Sequence, residues 1–237
     1  MENKVISQDE IMEALDTCYQ KVVDGIGKVS PPVEVMAQNY LEKNTTASLA
    51  AKSMINAQIV KCTTSGFVTG FGGFITLPVS VPANVGSVLY VQMCMIACTA
   101  YMAGYDLKSD QVQTLVYACL AGVAVNEILK KTGIKIGEKL AVNLIKKIPG
   151  SVLTKINQKV GFRFITKFGE KGLINLGKLV PGVGAVISGG LDLVETKIIG
   201  DRAYKWFFKG DFSVGIDEHA DSATENPEIK DVDYLDT

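Results

Sequence analysis

Between Lys61 and Asp106 the chain carries no charged side chain at all: residues 62–105 are apolar, glycine or neutral polar. A helix without charge on any face cannot lie on a water-facing surface, so such a stretch is either enclosed by protein or meets lipid. Proline breaks a helix interior, and Pro78 and Pro82 therefore divide the stretch into two helical pieces. The first is glycine-rich, TSGFVTGFGGFITLP. The second, from about Pro82 to Ala103, is long enough at about 1.5 Å per residue to match a hydrocarbon core of about 30 Å. Asn84, Gly86, Ser87, Gln92 and Thr99 dilute it as a spanning segment, so both readings stay open.

The glycines have a pattern of their own. Gly66 and Gly70 form a G-x-x-x-G, with Gly72 and Gly73 one turn on, and this spacing strips side chains from one face so that another helix can approach closely. The same logic applies to Gly184 with Ser188 and to Ala185 with Gly189, next to Gly190. The helix-packing positions read from sequence are thus Gly66, Gly70, Gly72, Gly73, Pro78, Gly184, Gly189 and Gly190. The packing they serve is that of a soluble bundle or of helices in or on a membrane.

Around this stretch the signals are helical. Ser7 and Glu10 spell a capping box, and Ile11, Leu15, Cys18 and Val22 recur on one face until Gly25 and Gly27. Pro31-Pro32 opens a second segment through Val35, Met36, Tyr40 and Leu41, and Asn44 to Thr46 offer caps for a third that runs to about Cys62. Asp110 is a cap for a helix through VQTLVYACLAGVAVNEIL. Ile136, Leu140, Leu144 and Ile148 mark one face of a further helix, with breaks expected at Pro149-Gly150 and at Gly161. GVAVN and VSVP alternate briefly but have no hairpin partners. The expected fold is all-α, a compact multi-helix bundle with Gly-rich, charge-free central helices. Its expected divisions are N-terminal amphipathic helices over 1–44, a helical domain over 45–210 and an acidic tail over 211–237.

A net charge of −1 conceals a strong separation of signs. From Lys130 to Lys178 twelve Lys or Arg stand against Glu138 and Glu170, whereas from Asp211 onward nine acidic residues face only Lys230. A basic amphipathic region next to apolar helices suits anionic lipid, where each Lys or Arg contributes about 1 kcal/mol near the surface. The candidate contacts are Lys139, Lys146, Lys147, Lys155, Lys159, Arg163 and Lys167; a solvated helical face is the alternative. Phe162, Phe164 and Phe168 interleave with Arg163 and Lys167, but no nucleic-acid-binding motif accompanies them, and no nucleic-acid partner is expected. The acidic tail reads as a solubilising appendage or as a competitor of anionic lipid for the basic helices.

Chemistry is sparse. The single histidine, His219, lies in the acidic tail, and no G-x-S-x-G, H-E-x-x-H or metal-ligand spacing occurs. GLINLGKL from Gly172 approaches a phosphate loop but ends on Leu179 where Ser or Thr would hold magnesium. The five cysteines (Cys18, Cys62, Cys94, Cys98 and Cys119) sit mainly in apolar runs and read as reduced packing residues, Cys94 and Cys98 sharing a helix face. No cofactor, no metal and no catalytic residue is expected. Nor do the first ten residues look like a secretion signal.

The order TSGFVTGFGGFITLPVSVPANV, an apolar helix ending AYMAGYD, then VPGVGAVISGGLDLVETKIIGDRAYKWFF resembles the EcsC protein family of bacteria. Gly70, Gly72, Gly73, Thr76, Leu77 and Pro78 match its first element. Gly104, Tyr105 and Asp106 approximate the second, and Pro181, Gly184, Gly189 and Gly190 match the third. The resemblance covers about residues 45–208 and departs at Ser80, where many relatives carry an acid. It implies a helical fold without assigning an activity. The functional expectation is a non-enzymatic protein at the cytoplasmic side of the inner membrane, peripheral or partly inserted, with a possible protein partner or homo-oligomer. A paired re-entrant arrangement of the apolar pieces accommodates Pro78 and Pro82 best. The alternative is a soluble bundle that holds a lipid-like ligand or serves as an interaction module.

Overall fold

A computed structural model describes residues 7–63, 83–131, 142–168 and 184–213, the side chains of 63, 83–85, 167–168 and 184–193 excepted. Among the described residues the chain forms nine helices and no strand beyond a single bridge between Ile26 and Ser30. In chain order they are α1 (Gln8–Asp24), α2 (Val33–Lys43), α3 (Ala47–Thr63), α4 (Ala83–Met102), α5 (Asp110–Ala121), α6 (Val125–Lys131), α7 (Val142–Ile145), α8 (Gly150–Phe168) and α9 (Gly184–Lys209). The fold is an all-α bundle.

The local chemistry of the helix starts is largely as the sequence implies. Ser7 Oγ accepts the Glu10 N–H while the Glu10 carboxylate accepts the Ser7 N–H, so two orphan donors of α1 are satisfied reciprocally. Thr46 Oγ1 accepts the Leu49 N–H at the start of α3. For α5 the cap is Ser109 rather than Asp110: Ser109 Oγ accepts the Val112 N–H, and Asp110 falls in the first turn, where its charge complements the helix dipole.

α4 is the centre of the molecule. It touches α1, α2, α3, α5 and α9, and from Leu89 to Ala100 every residue is buried. Two of the neutral polar groups that dilute it, Gln92 and Thr99, find protein partners. The Gln92 side-chain amide donates to Thr196 Oγ1 at 3.0 Å, Thr99 Oγ1 donates to its own helix at Met95 O, and the Cys98 thiol points to Val33 O at 3.6 Å. Among the described residues no helix is long and apolar enough to cross a membrane. The uncharged surface of α4 is met by other helices.

One continuous core runs from Ile11 in α1 to Phe212 beyond α9, so α1 and α2 share it with the later helices. Tyr19 stacks edge-on against Tyr117 at 5.7 Å, and its hydroxyl donates to Leu107 O at 2.8 Å, which pins α1 to the α4–α5 turn. Gly161 does not break a helix. It lies inside α8, where the Gln8 side chain occupies the space a Cβ would need, and this close approach joins α8 to α1. In α7 the buried residue is Ile145 while Leu144 faces outward, so of the expected stripe Ile148 is buried and Leu144 is replaced by its neighbour. Ile136 and Leu140 of that stripe lie outside the described residues.

Gly200 lets α9 approach both α3 and α4: a Cβ there would sit 2.7 Å from Ile55 Cγ2 and 3.2 Å from Met95 Sδ. Gly200→Val is expected to destabilise the fold by about 1–3 kcal/mol, read as a lower denaturant midpoint. Gly150→Ala, with open space around its Cβ, is expected to leave the midpoint within about 0.5 kcal/mol of the parent.

Candidate functional site at one end of the bundle

Side-chain contacts fix the direction of each long helix. Ser48 Oγ meets the Tyr204 hydroxyl at 2.6 Å, while Ile55 lies against Gly200, so α3 and α9 are antiparallel. Gln92 meets Thr196, and Tyr105 packs on Phe207, so α4 and α9 run the same way. Gln111 reaches Ile148 O, and Arg163 reaches the carbonyls of Ala121 and Gly122, so α5 and α8 also run together. Asp16 receives hydrogen bonds from Gln113 and Tyr117 while Tyr19 contacts Leu107, which sets α1 against α5.

These directions have one consequence for function. α3 and α8 end, and α4 and α9 begin, at the same end of the bundle. The connections 64–82 and 169–183 therefore both leave and re-enter the described fold there. Among the described residues the three most exposed large apolar side chains lie in that half: Phe162 at 64 %, Val60 at 61 % and Val194 at 56 %. Phe162 shares the outer face of α8 with exposed Lys159 and Lys155, one and two turns earlier.

The sequence-nominated residues divide accordingly. Lys155 and Lys159 are exposed on α8, whereas Lys146 and Lys147 are exposed beside α7, at the end where α8 starts. The nominated lysines therefore occupy two regions of the surface. Arg163 is half-buried, and its guanidinium donates to Gly122 O at 2.8 Å and Ala121 O at 3.3 Å. Lys167 lies in α8, and Gly184, Gly189 and Gly190 lie in the first turns of α9. Lys139, Gly66, Gly70, Gly72, Gly73 and Pro78 fall outside the described residues, as do Gly172–Leu179 and His219.

Sequence reasoning missed Arg202. It is almost completely buried, and it donates from Nη1 to Cys119 O at 2.6 Å, so it satisfies the last turn of α5 alongside Arg163. Two guanidiniums, one from α8 and one from α9, thus converge on the negative end of the α5 dipole, where Gly122 closes the helix at φ 72°. Burial, foremost, and the neighbouring Arg163 lower the Arg202 pKa, while Cys119 and Glu195 act against this. Arg202 Nε has no hydrogen-bond partner. Nothing local in the sequence links Arg202 to α5; the contact spans more than eighty residues.

No group of three His, Cys, Asp or Glu among the described residues could hold a metal ion. All five cysteines are buried and none is in a disulfide, and burial above all pushes Cys94 and Cys119 up to about 12, with Cys18 and Cys98 raised as well. A thiol so placed is protonated and shielded, hence a poor nucleophile.

No family model matches the chain, and no curated protein or solved structure matches it.

Two outcomes are expected from this geometry. Arg202→Met leaves the Cys119 carbonyl without its charged donor in a buried position and should cost about 2–3 kcal/mol in denaturant unfolding. Arg163→Ala, at a half-buried site, should cost less. The raised thiols make a second expectation about pH. The unfolded chain releases thiol protons near pH ~8.5 and the folded chain does not, so their contribution is present below that value and is lost as pH rises. Stability measured by denaturation should fall between pH ~8 and ~10, and a thiol reagent at pH ~8 should modify Cys18, Cys94, Cys98 and Cys119 only on unfolding. Rapid labelling of the folded chain would contradict their enclosure.

Proposed function

We propose that the chain is a non-enzymatic, EcsC-like protein that meets an anionic membrane, at the cytoplasmic face of the inner membrane, with one end of its helical bundle. On this reading residues 64–82 enter a single leaflet as a re-entrant element. The observation that supports it most is the antiparallel pairing of α3 and α4, which places Thr63 and Ala83 at one end and makes a segment without charge leave and return there. If helical, nineteen residues folded back on themselves reach only about 14 Å, a depth of one leaflet rather than a bilayer of about 30 Å. The glycines at 66, 70, 72 and 73 would allow the two limbs to pack closely, which backbone in hydrocarbon requires. α4 then serves as the core and not as the anchor.

A second reading has its own observation. The exposed Phe162 beside Lys155 and Lys159 suits an interfacial helix, so α8 would lie flat on lipid with its aromatic ring among the headgroups.

Flotation with vesicles rich in anionic lipid separates the two. Phe71→Asp with Phe74→Asp places charge in the proposed re-entrant element, at about 2.5–3.5 kcal/mol per buried Asp, and should abolish flotation. Phe162→Asp should reduce it only partly. Unchanged flotation of the Phe71/Phe74 variant would defeat the re-entrant reading, and loss confined to Phe162→Asp would favour α8. Recovery of the parent chain in a salt-washed supernatant, monodisperse without detergent and without affinity for vesicles, would defeat both and leave a soluble interaction module.

A further inference from the structure

A second surface, on α3 and α9 at the opposite end, bears charge that no residue described here neutralises. Tyr204 and Phe208 stack at 5.3 Å with an interplanar angle of 12°, both half-buried. Over the Tyr204 ring stand two ammonium groups, Lys52 Nζ at 5.3 Å and Lys209 Nζ at 5.9 Å from its centre. The Tyr204 hydroxyl is held by Ser48 Oγ, so the ring is fixed between α3 and α9. A cation–π contact holds an ammonium from one side and leaves its remaining donors outward. Neither Lys52 nor Lys209 has a carboxylate partner among the described residues. Two like charges on one aromatic ring, without a counter-ion, make a surface that favours an anion.

The chain itself carries an anionic segment close in sequence. α9 ends in a turn that Gly210 closes at φ 65°, with the Gly210 N–H donating to Trp206 O and the Asp211 N–H to Lys205 O. Phe212 then turns back and is wholly buried against Trp206 and Phe207. The Asp211 carboxylate accepts both the N–H and the hydroxyl of Ser213, and these bonds, foremost, lower its pKa. The direction in which the chain continues is therefore set four residues after Lys209. Four more residues, about 14 Å of extended chain, reach Asp217, and from there to Thr237 the sequence carries a net charge of −7.

We infer that the Lys52–Tyr204–Lys209 surface is the docking place of the chain's own acidic segment, residues 217–237. The covalent connection raises the local concentration of carboxylates to the millimolar range, so individually weak contacts suffice. Being electrostatic and exposed, the contact weakens with salt. It is independent of what the other end of the bundle binds. Its effect is to cover a basic surface that would otherwise attract nucleic acid, acidic proteins or lipid, and to release that surface when the tail is displaced.

The test uses the full chain. Zero-length carbodiimide cross-linking at low ionic strength, read by peptide mass spectrometry on the monomer, should join Lys52 or Lys209 to a carboxylate within 217–237. The yield should fall about fivefold in ~0.5 M NaCl. Tail carboxylates joined instead to Lys146, Lys147, Lys155 or Lys159, or no tail cross-link at all, would overturn the inference. Both lysines are exposed, so Lys52→Gln with Lys209→Gln should keep the fold while a glutamate-specific protease cuts the tail several-fold faster. An unchanged cleavage rate would count against docking. Loss of anionic-vesicle binding in that variant, without any tail cross-link in the parent, would make the surface a lipid contact and defeat the inference.

Discussion

The rest of the structure depends on the enclosure of α4. Its uncharged surface needs apolar neighbours on every side, and a helix about 10 Å across requires several others to provide them. α1, α2, α3, α5 and α9 do so, and their arrangement around α4 fixes which ends of the bundle carry which connections. Burial of side chains such as Val91, Met93, Met95 and Ile96 contributes on the order of 1.5–3 kcal/mol each. That scale makes α4 the element whose removal the fold could least survive.

Enclosure creates a second requirement, because helices that end inside a protein leave carbonyls without partners. α5 stops at Ala121, and its last carbonyls are met by Arg163 from α8 and Arg202 from α9. Arg163 thereby ties α8 to the end of α5, and Arg202 ties α9 to it. The same arrangement engages Arg163 at the end of α5, whereas Lys155, Lys159 and Phe162 are exposed on α8.

What the sequence made legible was mostly local. The Ser7–Glu10 box and the Thr46 cap involve residues three apart, and helix periodicity gave α1 its buried face; in α2 only Met36 of the expected face is buried, Val33 and Ala37 join it, and Val35 faces outward. Gly161 misled because an isolated glycine reads as a break, whereas here it makes room for Gln8, distant in sequence. Leu144 misled because α7 is only four residues long, too short for a period to be set. The choice between lipid and protein around α4 was not legible, since both are apolar and hydropathy does not distinguish them. Arg202 with Cys119, and Lys52 with Tyr204, were equally hidden. Each joins helices far apart in the chain, and neither carries a local motif.

The central proposal is that the charge-free stretch divides into a helix enclosed by protein and a neighbouring segment that meets lipid. Amide hydrogen exchange, with and without anionic vesicles, tests it most directly. The account predicts that Leu89–Ala100 is strongly protected in water and unchanged by vesicles, while 64–82 gains protection only when vesicles are present. Exchange of Leu89–Ala100 that is fast in water and slowed by lipid would contradict it.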